Sequence, residues 1–178
     1  MSERLKVGVA GVGYLGRVHA LIYARHPGVE LVGVVDSNPE TAAKVAEEAG
    51  CRAYTEAGEL VDHVDALSIV VPTTAHLEVA RLFLQAGRHV LLEKPIATSV
   101  DEGREIVRLA KAAGVILQIG HLERFNAGVM ALANRLEAPR FIEAHRMSPF
   151  VARATDVDVI SDLLIHDIDI VLSLIVSE

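Results

Sequence analysis

The sequence predicts an α/β protein, a doubly wound parallel sheet followed by the beginning of a truncated α+β second domain. Three observations lead there. Short β-branched runs alternate with helix-period segments over residues 1–120, the order that gives right-handed crossovers and helices on both faces of a parallel sheet. A glycine turn, Gly11-Val-Gly-Tyr-Leu-Gly16, joins the first strand to the first helix. After Gly120 the alternation stops. Residues 1–120 are therefore expected as one domain and 121–178 as the incomplete start of another.

The elements follow in order. Residues 6–10 (KVGVA) read as a strand and 14–25 as a helix stopped by His26-Pro27, because the residue before a proline avoids the helical region. A second strand covers 30–35. Asn38 and Pro39 open a helix through Ala49, where an early proline loses no hydrogen bond, and Gly50 ends it. Residues 52–54 form a short strand and 56–61 a short helix. The apolar run 66–71 (ALSIVV) suits a strand buried on both faces. A helix over 75–86, a strand over 89–92, a helix launched from Ser99 with Glu102 in a capping box, and a strand over 115–119 complete the domain. Beyond it, 122–136 reads as a helix, 140–147 as a half-exposed strand and 162–173 as a helix.

Composition narrows the function. Hydrophobic residues make up 51 %, only 4 % are aromatic, and there is no tryptophan. The core must therefore be built from Ala, Val, Leu and Ile. Seventeen basic against 24 acidic residues leave a net charge of −7, and no basic run offers a nonspecific nucleic-acid surface. Cys51 is the only cysteine, which fits a reducing compartment and reads as a small buried hydrophobe. The amino-terminal apolar stretch is short and broken by glycine, and the late apolar segment 163–176 carries His166, Asp167 and Asp169. Neither a signal peptide nor a membrane span is expected, and the reading is a soluble cytoplasmic protein.

The glycine spacing has a mechanical reason. Gly11 permits a tight turn, Gly13 lets a pyrophosphate approach the backbone, and Gly16 lets the helix pack on the sheet. Tyr14 and Leu15 lie in the same turn. The phosphates would rest on the positive end of the helix. Asp36 ends the second strand 20 residues after Gly16, where a carboxylate accepts the adenosine ribose hydroxyls and repels a 2′-phosphate. This is the Rossmann arrangement, and it favours NAD over NADP. Arg17 and Ser37 are close enough in sequence to relax that preference. The bland alternative is a glycine turn and a helix-capping aspartate that bind nothing.

Three further segments resemble the Gfo/Idh/MocA family of sugar and cyclitol oxidoreductases: Val71-Pro72-Thr73-Thr74-Ala75-His76, Glu93-Lys94-Pro95, and Asp162-Leu-Leu-Ile-His166-Asp167-Ile-Asp169. In a parallel sheet the loops after strand ends face the ligand crevice, so Pro72, Thr73, Glu93 and Lys94 are expected beside NAD. Asp162 and His166, four residues apart, share one helix face. The resemblance implies that His166 takes the substrate hydroxyl proton, a task suited to the side chain titrating nearest neutrality. It further implies that Lys94 hydrogen-bonds the reacting oxygen and that Asp162 holds substrate or imidazole. From the residues alone, His166 could equally be a packed histidine within an apolar helix.

Gly120-His121-Leu-Glu-Arg124-Phe125-Asn126 resembles the family's entry to its second domain. Arg124 and Asn126 would there line the substrate cleft, although Arg124 could instead pair with Glu123 or Glu137. Ala127 stands where the family usually has proline. Residues 156–169 are most similar to the branch that oxidises the C3 hydroxyl of UDP-N-acetylglucosamine, with Asp158 where glycine is usual. A free sugar or inositol is the alternative substrate, and a non-catalytic NAD-binding module the alternative function. Family members continue into a large antiparallel sheet and usually form homo-oligomers, so this chain is expected to stop inside its second domain. His76 either caps or packs its helix start or approaches the nicotinamide. His19, His26, His63, His89 and His145 lack metal-ligand spacing, and no metal site is expected.

Overall fold

The computed structural model describes residues 4–136, 139, 141–147 and 160–175, with the side chains of Ser161 and Asp162 left aside. By packing, the chain divides into two compact units, Met1–Gly120 and His121–Glu178.

The first unit is a six-stranded, all-parallel sheet. Its strands are β1 (Leu5–Ala10), β2 (Val29–Val35), β3 (Arg52–Tyr54), β4 (Ala66–Ile69), β5 (His89–Leu92) and β6 (Leu117–Ile119), in spatial order β3-β2-β1-β4-β5-β6. The chain works outward from β1 in one direction, then crosses back to β4 and works outward in the other. The crevice between β1 and β4 is thus the topological switch point, where ligands bind in such sheets.

Helices α1 (Tyr14–Arg25) and α2 (Pro39–Ala49) cover one face, and α3 (His76–Gln85) and α4 (Val100–Ala113) the other. Helices α2 and α4 start at side-chain caps. Asn38 caps α2, its Oδ1 accepting from the Glu40 and Thr41 amides at 2.9 and 3.3 Å. Ser99 Oγ accepts the Glu102 N–H at 3.2 Å, while the Glu102 carboxylate turns back to accept the Thr98 N–H at 3.1 Å. Phe83, Leu84, Ile106 and Leu92 fill the α3/α4 layer with no exposed surface. Val9, Val12, Ala20, Val34 and Val45 fill the other. Truncating a side chain buried like Phe83 typically costs about 3–5 kcal/mol.

Several boundaries differ from expectation. The run 66–71 yields a strand of four residues; Val70 donates a last hydrogen bond to the Ala10 carbonyl at 2.7 Å, and the Val70–Val71 backbone then passes against Gly11 of the glycine turn. The segment 56–61 is a 3-10 helix, Ala57–His63. A 3-10 turn, Thr73–Ala75, precedes α3.

In the second unit the helix expected over 122–136 is a 3-10 turn, Leu122–Phe125, followed by α5 (Ala127–Ala133). Asn126 separates them, extended at φ −61° and ψ 130°, and caps α5 by accepting the Gly128 N–H at 2.9 Å. The expected strand over 140–147 is not formed by residues 141–147, which have no strand partner among the described residues; Arg140 lies outside them. A π-helical turn, Ile160–Leu164, leads into α6 (Ile165–Leu174). No helix among the described residues is long and apolar enough to cross a membrane.

Candidate functional site

The glycine turn lies at the carboxyl end of β1, beside the switch point. Gly11 has φ +81°, and a Cβ there would stand 2.6 Å from the Val71 backbone nitrogen. A Cβ on Gly16 would stand 1.8 Å from the Gly11 carbonyl oxygen. The protein's own packing thus demands both glycines. Gly13 is different: nothing lies within 4 Å of the place its Cβ would take. It is the N-cap of α1, and no side chain caps that end. Tyr14 and Leu15 are exposed beside it, Tyr14 at 85 %. An open backbone at an uncapped helix start fits a pyrophosphate, whose oxygens accept the amide N–H groups.

Asp36 is bound into the same structure. Its Oδ2 accepts the Val12 N–H at 2.9 Å and its Oδ1 the Asn38 N–H at 3.0 Å. Each carboxylate oxygen keeps a lone pair for a ribose hydroxyl. Arg17 is engaged elsewhere, since its guanidinium is paired with the Glu48 carboxylate. That hydrogen bond raises the arginine pKa and lowers that of Glu48. The cation that could have welcomed a 2′-phosphate is occupied.

On the β4 and β5 side, Pro72 is exposed and Thr73 half-buried. His76 is 1 % exposed. Its Nε2 lies 3.0 Å from the Val71 carbonyl and its Nδ1 3.3 Å from that of Ile96. A neutral imidazole has one N–H, so the ring donates to one of these carbonyls and packs against the other, between the chain after β4 and the chain after β5. The ring packs beneath the two loops, at the start of α3. Burial lowers the imidazole pKa, against the raising effect of the backbone contacts.

Glu93 also turns inward, at 6 % exposure. Its Oε2 accepts the Lys94 N–H at 3.3 Å, and its Oε1 lies 3.5 Å from His19 Nε2. Burial raises its carboxyl pKa, opposed by the Lys94 N–H and charge. Lys94 follows, half-buried, with a cis bond to Pro95.

In the second unit, His166 sits half-buried in the first turn of α6. The neighbouring carboxylates are each held by an arginine. Arg124 grips Asp169 through two hydrogen bonds of 2.6 Å, and Arg146 grips Asp167 at 2.8–3.1 Å. Both aspartates fall below the usual carboxylate range, the arginine hydrogen bonds contributing most and the nearby His166 adding to the effect. Arg124 is thus an anchor of α6, paired with Asp169; of the alternative partners, Glu137 lies outside the described residues. Asn126 is a helix cap. The Asp162 side chain and residues 156–159 lie outside the described residues. Asp162 falls within the π-helical turn, so its spacing to His166 is not that of a regular α-helix.

Sequence reasoning named His19 and Asp169 without giving them these partners, and singled out neither Ser68 nor Arg146. A histidine three residues after Gly16, on the sheet-facing side of α1, was the available signal for His19. For Ser68 it was a serine inside an apolar strand.

The Gfo/Idh/MocA family, described as an oxidoreductase family with an NAD-binding Rossmann fold, matches residues 5–121. The chain belongs to the Gfo/Idh/MocA family. Its Rossmann domain is an NAD-binding one. UDP-N-acetylglucosamine 3-dehydrogenase of Acidithiobacillus ferrooxidans is 44 % identical over 171 residues, covering 96 % of this chain and 54 % of that protein. A solved structure of that enzyme superposes with a TM-score of 0.91 at 43 % identity, covering 97 % of this chain and 57 % of that one. Inositol 2-dehydrogenase of Rubrobacter xylanophilus is 32 % identical over 178 residues, covering 94 % and 51 %. GenD2 from gentamicin A biosynthesis, solved in complex with NAD, superposes with a TM-score of 0.82 at 28 % identity, covering 98 % and 54 %. This Gfo/Idh/MocA chain spans about half the length of the curated relatives it matches.

Proposed function

We propose that this chain is the cofactor-holding part of an NAD-dependent dehydrogenase that oxidises the C3 hydroxyl of UDP-N-acetylglucosamine. The observation that carries the reading is the 44 % identity across 96 % of the chain to an enzyme of that name. Residues 1–120 would hold the cofactor, and 121–178 would open the substrate and oligomerisation domain. Gly11, Gly13, Tyr14, Leu15 and Gly16 receive the pyrophosphate, and Asp36 receives the adenosine ribose. Pro72, Thr73 and Lys94 form the rim nearest the reacting ring, with the Glu93 backbone in the same loop and its carboxylate turned beneath it.

When bound, NAD accepts a hydride from the carbon that bears the hydroxyl. The Lys94 amine hydrogen-bonds the hydroxyl oxygen and steadies negative charge developing on it. The His166 imidazole takes the hydroxyl proton, and Asp162 orients substrate or imidazole. Arg124 and Arg146 act behind this chemistry by fixing the helix that carries His166. The reading extends to a cytoplasmic homo-oligomer for the whole protein, supported by the family resemblance alone.

A second reading keeps the chemistry and changes the substrate to inositol or a free sugar, supported by 32 % identity to an inositol dehydrogenase. One experiment separates these. The chain is titrated with NAD by calorimetry, and the complete protein is then supplied with NAD and a panel of UDP-N-acetylglucosamine, free sugars and inositols while NADH absorbance is followed. Turnover of the nucleotide sugar, falling about 10²-fold or more in His166→Ala and Lys94→Ala, is expected. Turnover of inositol alone would move the substrate assignment. NAD binding with no turnover of any panel member would leave only a nucleotide-binding module.

A further inference from the structure

Below the Lys94 backbone lies a chain of three buried polar side chains. Ser68 comes from β4, His19 from α1 and Glu93 from the residue after β5, at 2 %, 8 % and 6 % exposure. His19 Nδ1 lies 2.7 Å from Ser68 Oγ. His19 Nε2 lies 3.5 Å from Glu93 Oε1, an atom that makes no hydrogen bond among the described residues. At the end of β6, Gly120 closes the space; a Cβ there would stand 2.6 Å from Oε1. The Tyr23 ring meets that of His19 edge-on, with centroids 6.4 Å apart. Within this unit, the titratable groups facing the pair are Tyr23, from α1, and Lys94 itself. Strand β4 contributes the Ser68 hydroxyl, and the residue after β6, Gly120, has no side chain to titrate.

Two bare acceptors at this separation would both be buried and unsatisfied, at a cost of about 1–3 kcal/mol each. At 3.5 Å the two atoms make no hydrogen bond as they stand; a proton carried by either one would give the facing pair a donor and an acceptor and relieve the clash of two bare lone pairs. Ser68 permits two placements, because a hydroxyl both donates and accepts. With Ser68 donating to Nδ1, the proton sits on Nε2 and Glu93 is an anion. With Nδ1–H donating to Ser68, Nε2 is an acceptor and Glu93 carries the proton.

We propose that His19 and Glu93 are a coupled pair in which protonating Glu93 reverses the His19 tautomer, so that the pair sets the charge held beneath Lys94. The balance is one proton taken up from water. The Oε1–H bond forms, the ring proton moves from Nε2 to Nδ1, and the Ser68 hydroxyl turns from donor to acceptor. Burial raises the carboxyl and lowers the imidazole, which brings the exchange above the range of an exposed glutamate. An anionic Glu93 attracts both the Lys94 amide and its ammonium, and a neutral one relaxes that hold. His19 and Glu93 are thus positioning residues, and their bearing on chemistry rests on the role proposed above for Lys94.

The test uses the cofactor-free, ¹⁵N-labelled chain. Long-range proton–nitrogen spectra from about pH 5 to about pH 9, the range in which histidine reports, read the His19 tautomer and the Lys94 amide together. The two ring nitrogens are expected to exchange character with the same midpoint as the Lys94 amide shift. Glu93→Gln is expected to fix one tautomer and abolish both transitions. A single His19 tautomer throughout, unequal midpoints in the wild-type chain, or an exchange that persists in Glu93→Gln would overturn the proposal. The wild-type midpoints decide even if the variant does not fold. Failure to bind NAD would be seen only in the separate calorimetric titration, so it would count against the dehydrogenase reading and not against the pair.

Discussion

The Asp36 carboxylate accepts the backbone N–H of Val12 at 2.9 Å across 24 positions of sequence. One side chain therefore shapes the glycine turn and, in the reading proposed above, also receives the ribose. Asp36→Ala removes two backbone hydrogen bonds to a charged acceptor together with the ribose contact. Hydrogen bonds to charged groups are worth about 1.5–3 kcal/mol each, so NAD affinity should fall at least about tenfold by calorimetry. Asp36→Asn, with a single acceptor oxygen, should fall between the two. Wild-type affinity in Asp36→Ala would contradict the assignment.

Gly13 and Gly16 make opposite demands. Gly16→Ala drives a methyl into the Gly11 carbonyl and should lower the thermal midpoint of the cofactor-free chain sharply. Gly13→Ala meets no protein atom and should leave that midpoint nearly unchanged while weakening NAD binding. Equal losses of stability in the two variants would remove the argument that Gly13 is kept small for a ligand.

Glu48 occupies Arg17, and releasing it is expected to bear on the choice between NAD and NADP. Glu48→Gln frees the guanidinium without adding bulk. The ratio of NADP to NAD affinity should rise by a few-fold, modest because the pair is exposed. An unchanged ratio in side-by-side titrations would mean that Arg17 does not reach the 2′ position.

Breaking the Arg124–Asp169 pair should loosen α6. Arg124→Ala leaves a buried carboxylate without its two 2.6 Å hydrogen bonds, and hydrogen exchange in residues 165–174 should quicken by about tenfold or more. The sign with pH is fixed. Asp169 is depressed in the folded chain, so its contribution is present above about pH 3.9 and lost as pH falls through the folded value. Protection that is indifferent to Arg124→Ala would show the pair to be incidental.

Stability of the first unit should decline in mild acid. His19 and His76 are both lowered by burial, so the unfolded chain binds more protons than the folded one below about pH 6.5. Their contribution is complete above that value and is lost as pH falls, by at most about 1.4 kcal/mol per pH unit for each ring. Glu93, raised by burial, acts oppositely. Its contribution is complete below about pH 4.3 and is lost as pH rises through the folded value. With two histidines against one glutamate, denaturation midpoints should fall from pH 7 toward about pH 5.5. His76→Gln should be less stable at neutrality yet decline less steeply.

The first unit was legible because its signals are local and agree with one another. Residues 14–25, 52–54 and 89–92 form α1, β3 and β5 with the bounds read from periodicity. Asn38, Ser99 and Gly50 do what their chemistry suggests. The glycine turn and Asp36 could be read because fixed spacing on a strand–turn–helix unit determines where they go. What could not be read was the pairing of side chains distant in sequence. Arg124 meets Asp169 across 45 positions and His19 meets Ser68 across 49, and no periodicity encodes such partners. Asn126 was the avoidable miss, since a cap residue followed by Gly128 is a start signal inside what looked like one helix.

The buried His76 ring lies between the Val71 carbonyl after β4 and the Ile96 carbonyl after β5, its single N–H donating to one of them while the ring packs against the other. The two loops that would meet the reacting end of a dinucleotide are therefore one lip, stitched from below, instead of two independent flaps. A surface ordered in advance loses little conformational entropy when a ligand settles on it. Cutting the stitch should make association with NAD more costly in entropy even where every contact to the ligand survives.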